Sequence, residues 1–138
     1  MKVLITAGPT YEPIDPVRFI GNRSSGKMGI ALAEAFAASG NEVILIKGPT
    51  LLNPTNVAIK QENVNTAAEM FEACLKYFQQ SDVIVFAAAV ADYTPKHPAE
   101  LKIKKAGNNM TLELVKTKDI ALELGNRKKS GQVCIGFA

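Results

Sequence analysis

Short apolar runs alternate with helical patterns over the first two thirds of the chain. Apolar runs of about four to eight residues bounded by turn signals are typical of buried strands, and apolar residues spaced three and four apart are typical of helices. The predicted strands are Val3–Ala7, Glu42–Ile46, Val57–Ile59 and Asp82–Phe86, and the predicted helices occupy residues 24–39 and 66–79. This alternation predicts an α/β fold, a Rossmann-like three-layer arrangement with a mainly parallel sheet and helices on both faces.

Both predicted helices have recognisable ends. Ser24 or Ser25 is the expected N-cap of the first helix, and Gly40 follows its end. Its expected buried stripe is Met28, Ala31, Leu32, Ala35 and Phe36. The second helix begins with a capping box, Thr66-Ala67-Ala68-Glu69. Its inward residues are expected to be Met70, Phe71, Cys74, Tyr77 and Phe78.

The alternation stops at residues 91–109, a long polar segment with prolines. Loops of this length inside a compact domain tend to be functional or mobile. Within and after this segment we predict a hairpin that pairs Leu101–Lys105 with Met110–Val115 across the turn Gly107-Asn108-Asn109. A short helix follows, capped by Thr117 or Asp119 and ending near Leu124. The last predicted element is a strand, Gln132–Phe137.

Composition limits the classes of function. The 138 residues are 47% hydrophobic with a net charge of +3, so we expect one folded domain, and the charge is too small to argue for nucleic acid. No apolar stretch is long enough for a membrane span. Cys74 and Cys134 lie in apolar patterns and are expected to be buried free thiols in a reducing cytoplasm. The single histidine, His97, lies in a loop, and it argues against a zinc site or a Ser–His–Asp triad.

The stretch Gly21-Asn22-Arg23-Ser24-Ser25-Gly26-Lys27-Met28-Gly29 combines glycine, hydroxyls and positive charge directly before a helix. Glycine lets backbone N–H groups approach a ligand, and a helix N-terminus favours an anion. The stretch differs from a Walker A loop in having Met28 in place of the magnesium-binding hydroxyl. About a dozen residues also separate it from the first strand, and no acidic residue ends the strand at Phe86, so an ordinary P-loop NTPase is disfavoured.

Two other interpretations of the glycine stretch remain open at this point. A dinucleotide site needs Gly-x-Gly-x-x-Gly and an acid at the end of the second strand. This chain has only Gly26-x-x-Gly29 and ends that strand with Lys47, which leaves a weak case for an NADP-dependent reductase. The structural alternative is a tight loop that only caps a helix.

Three further segments favour a ligand site over that structural alternative. Ala87-Ala88-Ala89-Val90-Ala91-Asp92 is a strand exit of small residues with one acid, Lys102 and its neighbours supply cations, and Thr117-Lys118-Asp119-Ile120 opens another helix. In a parallel α/β sheet these segments and the glycine stretch converge at the carboxyl ends of the strands, where such folds bind ligands.

Several linked motifs then resemble those of the phosphopantothenoylcysteine synthetase family, the synthetase half of the bacterial bifunctional coenzyme A biosynthesis flavoprotein. They are Ile5-Thr6-Ala7-Gly8-Pro9-Thr10, Glu12-Pro13-Ile14-Asp15-Pro16-Val17-Arg18, Asn22-Arg23-Ser24-Ser25-Gly26-Lys27-Met28-Gly29, Ala88-Ala89-Val90-Ala91-Asp92-Tyr93, Lys102-Ile103-Lys104-Lys105 and Gly136-Phe137-Ala138. The resemblance covers the whole chain in order.

The resemblance implies a ligase that joins 4′-phosphopantothenate to L-cysteine with CTP and Mg²⁺ in the cytoplasm. The carboxylate attacks the α-phosphate to give an acyl-cytidylate and pyrophosphate, and the cysteine amine then releases CMP. Such chemistry needs charge neutralisation and positioning more than a protein nucleophile. A nucleotide- or phosphate-binding α/β module without ligase activity is the alternative.

The resemblance also implies roles for individual residues. Asn22 would hold the acyl-cytidylate, Arg18 would serve the second half-reaction, and Lys102 would meet the nucleotide phosphates. Lys118 stands where the family has proline, so that edge of the pocket departs from the family pattern. The implied nucleotide-binding residues are Gly8, Ser24, Ser25, Gly26, Phe86, Ala87, Ala88, Asp92, Lys118, Asp119, Ile120, Ala121 and Phe137; no protein side chains are implied as metal ligands.

The expected domain is a single synthetase domain over residues 1–138 without the C-terminal flap of the family, and the expected assembly is a homodimer. A stand-alone synthetase and an excised piece of a fusion would both have this sequence.

Overall fold

The computed structural model describes residues 1–137 and contains nine strands and three helices within them. In chain order these are β1 (Lys2–Ala7), β2 (Tyr11–Pro13), β3 (Phe19–Gly21), α1 (Lys27–Ala38), β4 (Glu42–Lys47), β5 (Lys60–Asn63), α2 (Ala67–Phe78), β6 (Val83–Phe86), β7 (Tyr93–Pro95), β8 (Leu114–Lys116), α3 (Ile120–Asn126) and β9 (Val133–Gly136).

The central sheet has five parallel strands in the order β5-β4-β1-β6-β9. β1 lies in the middle, with Leu4 opposite Ile44 on one side and opposite Ile84 on the other. The chain leaves β1 for β4 and β5 in one direction and later returns to place β6 and β9 in the other. Open parallel sheets form a crevice at such a reversal, outside the carboxyl ends of the strands.

The helices cover both faces of this sheet, which confirms the predicted three-layer fold. Successive residues of a strand point to opposite faces, so β1 contributes to two cores. Leu4 packs in one core with α2 and α3, around Met70, Phe78 and Leu124. Val3, Ile5 and Ala7 pack in the other core against α1, and every residue of both clusters is nearly or fully buried.

The start and the buried face of α1 differ from the prediction. Gly26 is the N-cap, with a φ of 74°, and neither Ser24 nor Ser25 caps the helix. Met28 is 48% exposed, and Ala31 and Ala35 are also exposed. The buried residues are Gly29, Ile30 and Ala33. The reason is steric: a Cβ at Gly29 would lie 2.5 Å from the Ala7 Cβ, so α1 turns its glycine toward β1 in order to pack closely.

The predicted hairpin and the predicted third strand are also wrong. Residues 101–105 form no strand, and β8 pairs instead with β7, antiparallel, with Thr94 opposite Val115. Val57 is fully exposed, and the edge strand β5 begins three residues later, at Lys60. Because β5 is polar and at the edge of the sheet, it has no apolar pattern that a sequence analysis can detect.

Other predicted features are present as expected. Thr66 and Glu69 form a complete capping box at the start of α2, and Asp119 caps α3 through the Leu122 N–H at 2.9 Å. Cys74 is buried as predicted, whereas Cys134 is only half-buried, and both are free thiols. Burial raises the pKa of the Cys74 thiol to about 12. Within residues 1–137 no helix is long and apolar enough to cross a membrane.

Candidate active site

The segment after β6, residues 87–92, runs beside the segment after β1 and is hydrogen-bonded to it. Thr6 accepts from the Ala87 N–H with its carbonyl oxygen at 3.2 Å and from the Ala88 N–H with its hydroxyl at 3.3 Å. The Gly8 carbonyl oxygen accepts from the Ala89 N–H at 2.8 Å. The buried Thr10 hydroxyl accepts from the Ala91 N–H at 2.9 Å. These contacts fix the strand exit at the middle of the sheet's carboxyl edge.

A cavity of about 600 Å³ opens beside this exit, and we call it the main cavity. It lies between the ends of β6 and β9, the β7–β8 pair and the start of α3. The predicted nucleotide-binding residues that line it are Phe86, Ala88, Asp92, Lys118, Asp119, Ile120, Ala121 and Phe137. Residues from three distant parts of the sequence thus meet around one space, as the predicted parallel topology requires.

Val90 and Thr117 line the main cavity and lie in segments that the sequence already indicated, although neither was predicted as a site residue. The other lining residues that were not predicted are Thr6, Tyr93, Lys116 and Gly136. Thr117 has a definite structural role there. Its N–H donates to the Asp92 carbonyl oxygen at 2.9 Å, and its hydroxyl donates to the Ala91 carbonyl oxygen at 2.6 Å. It thereby fixes the start of α3 to the β6 exit. The sequence feature that could have identified Thr117 is its position two residues before Asp119, the N-cap of α3.

The charges of the main cavity are mixed. Lys116 and Lys118 face the cavity together with the carboxylates Asp92 and Asp119. The Lys118 ammonium lies 4.6 Å from the centre of the Phe71 ring, a cation–π contact that holds it at the cavity wall. A cavity lined by two lysines and two aspartates can bind a ligand that has both anionic and neutral parts.

A second cavity of about 430 Å³ adjoins the glycine stretch, and we call it the glycine-loop cavity. Its lining consists of Arg23, Ser24, Ser25, Gly26, Lys27, Met28, Ala87, Ala88 and Ala89. Ala88 lines both cavities, so both border the β6 exit. The predicted residues Ser24, Ser25, Gly26 and Ala87 belong to this cavity and not to the main one.

The electrostatics of the glycine-loop cavity favour an anion. α1 begins here, with no acidic residue in its first turn and no side-chain cap. The Ser24 and Ser25 hydroxyls accept from the Gly26 and Lys27 N–H groups, both at 3.3 Å, and so shape the loop. The N-terminal dipole of a helix, with Arg23 and Lys27 alongside, attracts negative charge.

Gly8 and Asn22 lie next to the cavities without lining them. A Cβ at Gly26 would lie 3.2 Å from the Gly8 Cα, so the two glycines allow the loop to approach β1. The Asn22 side-chain amide donates to the Val90 carbonyl oxygen at 3.1 Å and to that of Ala89 at 3.4 Å. Asn22 therefore connects the β2–β3 hairpin to the β6 exit.

Arg18 and Lys102 lie in neither cavity lining. The Arg18 guanidinium pairs with Asp15, Nη2 to Oδ2 at 2.5 Å, and donates to the Ile103 carbonyl oxygen at 2.7 Å. Lys102 itself is exposed. Hydrogen bonding from Arg18 holds the pKa of the Asp15 carboxyl well below its usual range. The structure thus connects Arg18 to the loop that carries Lys102.

A second buried carboxyl, Glu12, lies on the same hairpin. It is only 2% exposed, and it accepts from the Ala67 N–H at the start of α2 at 3.1 Å. Burial raises the pKa of Glu12 above its ordinary value. This carboxyl joins the hairpin to α2 and lines neither cavity.

A parallel α/β sheet with two cavities at its strand-order reversal defines a Rossmann-like domain, a class in which ligands bind in the crevice at that reversal. The chain belongs to the family described as the DNA/pantothenate metabolism flavoprotein C-terminal domain, whose model matches residues 1–138. The family resemblance seen in the sequence motifs is thereby confirmed.

Two relatives with different names are similar to the chain over nearly its whole length. The chain is 52% identical over 136 residues to the coenzyme A biosynthesis bifunctional protein CoaBC of Bacillus subtilis (strain 168), covering 99% of this chain and 33% of that protein. It is 53% identical over 137 residues to a cysteine/cysteine sulfinic acid decarboxylase of an unknown prokaryotic organism, covering 99% of this chain and 38% of that one. The chain therefore spans about a third of the length of these relatives.

A solved structure shares the fold. The C-terminal domain of a coenzyme A biosynthesis bifunctional protein CoaBC matches with a TM-score of 0.85 and 47% identity, over 99% of this chain and 63% of that one.

Proposed function

We propose that this domain is a phosphopantothenate–cysteine ligase that uses CTP. In the first step a carboxylate oxygen of 4′-phosphopantothenate attacks the α-phosphorus of CTP, the bond to the β-phosphate breaks, and pyrophosphate leaves. In the second step the amine of L-cysteine attacks the acyl carbon, the bond to CMP breaks, and the amine gives up a proton.

The observation that carries this proposal is that two different cavities both border Ala88, at the carboxyl ends of β1 and β6. An acyl-cytidylate has a base and a phosphorylated acyl chain joined at one phosphate, and it needs two adjoining spaces. Likeness to the bifunctional protein of Bacillus subtilis, whose name assigns it to coenzyme A biosynthesis, supports a role in that pathway.

Charge neutralisation is available in both cavities. The N-terminus of α1 with Arg23 and Lys27 suits phosphate oxygens on one side of Ala88. Lys116 and Lys118 supply cations on the other side. Neither step needs a protein nucleophile, because activation comes from the nucleotide and the rate gain comes from positioning and electrostatics.

Magnesium fits the proposed substrate. Mg²⁺ is usually bound through one or two carboxylates together with substrate phosphates. The sequence implied no protein ligands for the ion, and the proposal adds two: Asp92 and Asp119, the acidic side chains among the residues lining the main cavity, would hold it with the triphosphate. Among residues 1–137 no group of three or more acidic, histidine or cysteine side chains forms a dedicated metal site. The ion would neutralise triphosphate charge.

The roles of three residues are part of the proposal. Asn22 holds the acyl-cytidylate at the β6 exit, which both cavities border. Lys102 binds the nucleotide phosphates, and Arg18 serves the second half-reaction. A single synthetase domain over residues 1–138, a homodimer and a cytoplasmic location are also proposed, on the family resemblance alone.

The test is to incubate the full-length chain with CTP, 4′-phosphopantothenate and Mg²⁺, without cysteine, and to measure pyrophosphate. We expect pyrophosphate to form with CTP and to depend on 4′-phosphopantothenate. Adding L-cysteine should then release CMP and form the amide. If neither CTP nor ATP gives pyrophosphate, the ligase proposal is wrong. NADPH oxidation by the same protein would instead support a reductase.

A further inference from the structure

Asp15 is a buried carboxylate for which the proposed reaction has no use. It is 3% exposed, and both of its oxygens accept hydrogen bonds. Oδ1 accepts from the Val17 and Arg18 N–H groups at 2.9 and 2.8 Å. Oδ2 accepts from the Arg18 guanidinium, at 3.1 Å from Nε and 2.5 Å from Nη2. A carboxylate with this many donors has a definite structural task.

The fifth donor to Asp15 comes from a remote part of the chain. The Ile103 N–H donates to Asp15 Oδ2 at 3.1 Å, across 88 residues of sequence. The Ile103 carbonyl oxygen accepts from Arg18 Nη2 at 2.7 Å. The Asp15 carboxylate and the Arg18 guanidinium thus bind the backbone N–H and the carbonyl oxygen of Ile103, the residue that follows Lys102.

This contact is one of few that fix residues 99–112 to the rest of the domain. Among the hydrogen bonds of the described residues, the remaining anchor is the Ala99 N–H donating to the Ile14 carbonyl oxygen at 2.9 Å. We call residues 99–105 the basic loop, since they include Lys102, Lys104 and Lys105. Lys102 lies between the two anchors, and all three lysines are exposed.

We propose that Asp15 is a positioning residue that sets the location of Lys102 by clamping Ile103 together with Arg18. Its effect on catalysis rests on the proposed function, in which Lys102 meets the nucleotide phosphates. The clamp requires two acceptor oxygens at position 15. Oδ1 accepts from the Val17 and Arg18 N–H groups, and Oδ2 accepts from the Ile103 N–H of the basic loop. An asparagine keeps one acceptor and turns an NH₂ group toward a donor.

Hydrogen exchange tests the clamp independently of any activity. In Asp15→Asn of the full-length chain we expect the amide of Ile103 to exchange about tenfold faster, since its hydrogen bond to a charged group is lost. Amides of β1 and β6 should keep their wild-type rates. Glu100→Gln, an exposed carboxyl on the same loop, is the matched control and should leave exchange unchanged. Equal loop exchange in Asp15→Asn and wild type would overturn the proposal.

A double-mutant cycle tests whether Asp15 acts through Lys102. We expect Asp15→Asn to lower the rate of pyrophosphate formation about tenfold in the wild-type background and less than about twofold in Lys102→Gln. If Asp15→Asn caused only a structural defect, its fold-loss in rate would be the same in the wild-type and the Lys102→Gln backgrounds. That result would overturn the positioning role.

Failure of this inference is distinguishable from failure of the proposed function. A wild-type chain that forms no pyrophosphate contradicts the ligase proposal, while the exchange experiment still decides the clamp. A wild-type chain that is active, with unchanged loop exchange in Asp15→Asn, contradicts the clamp alone. If Asp15→Asn is unfolded at the assay temperature, Arg18→Lys removes the other half of the clamp, the Nη2 bond to the Ile103 carbonyl oxygen, and the same exchange outcomes apply at the Ile103 amide.

Discussion

The side-chain amide of Asn22 donates to the carbonyl oxygen of Val90 across 3.1 Å. This bond joins the last residues of the β2–β3 hairpin to the strand exit shared by the two cavities. An amide is the required group here, because a carboxylate cannot donate and would be repelled by the carbonyl oxygens of Ala89 and Val90.

Asn22→Asp should therefore abolish product formation while nucleotide binding is largely kept. The new negative charge lies beside an anionic substrate, and loss of a positioned donor of this kind typically costs about 100-fold or more in rate. Amide product and CTP affinity are measured separately, by chromatography and by calorimetry. Asn41→Asp is the control, because its amide donates to the Phe36 carbonyl oxygen at the other end of α1. A parallel loss of CTP affinity would argue against this role for Asn22.

Lys102→Gln should slow the first step, seen as pyrophosphate released in the absence of cysteine. The proposed physical reason is loss of a cation from the triphosphate, and a drop of about tenfold or more is expected. Lys105→Gln removes an equal charge from the same exposed loop and serves as the control. If both variants lose the same activity, general attraction by the loop explains the effect and a specific role for Lys102 does not.

Gly29→Ala should destabilise the domain even though alanine is the better helix former. The added methyl group would lie 2.5 Å from the Ala7 Cβ and 3.0 Å from the Thr6 carbonyl oxygen, both on β1. Overpacking of this kind costs about 1–3 kcal/mol. Gly125→Ala in α3 is the matched control, since nothing lies within 4 Å of its added Cβ. Denaturant unfolding of both variants gives the comparison, and a stabilised Gly29→Ala would contradict the close packing of α1 on β1.

Glu12→Gln should change how stability depends on pH. Because burial raises the folded-state pKa of Glu12, the folded chain takes up its proton more readily than the unfolded chain. The resulting stabilisation is present below the unfolded pKa of about 4.3 and is lost as pH rises through the folded pKa. The free energy of unfolding of wild type minus that of Glu12→Gln should thus fall as pH rises from about 4 to 7.

The control for this measurement is Glu72→Gln, an exposed carboxyl on α2, which should keep the wild-type pH dependence. A difference between wild type and Glu12→Gln that grows with pH would mean that the buried carboxyl is stabilised in its charged form.

The sheet and the second helix could be predicted because their patterns are strong and local. β1, β4 and β6 are apolar runs, and Thr66 with Glu69 forms a capping box that needs no tertiary information. The failures come from tertiary packing. Met28 has the spacing of a core residue, but the contact of Gly29 with Ala7 sets the orientation of α1. The Gly107-Asn108-Asn109 turn signal was overridden because β8 pairs with β7 and not with residues 101–105.

The candidate site was predictable only to the extent that topology brings strand ends together. Ala88 and Asp119 are distant in sequence, and the parallel order is sufficient to predict that they meet at one edge. The division into two cavities was not predictable, and neither were the bonds of Asn22 and Thr117 to the strand exit, because no local sequence pattern marks such tertiary contacts. The contact of Asp15 with Ile103 spans 88 residues and leaves no periodic signal.

The hydrogen bonds that Thr6, Gly8 and Thr10 accept from residues 87–91 have a thermodynamic consequence. The conformational entropy of this segment is already lost when the chain folds. A molecule that binds along the segment therefore does not have to order it, and no affinity is lost to that ordering. Thr10 lines neither cavity, yet replacing its hydroxyl would transfer part of that entropy loss to the binding step. Affinity would then fall without the removal of a single contact to the ligand.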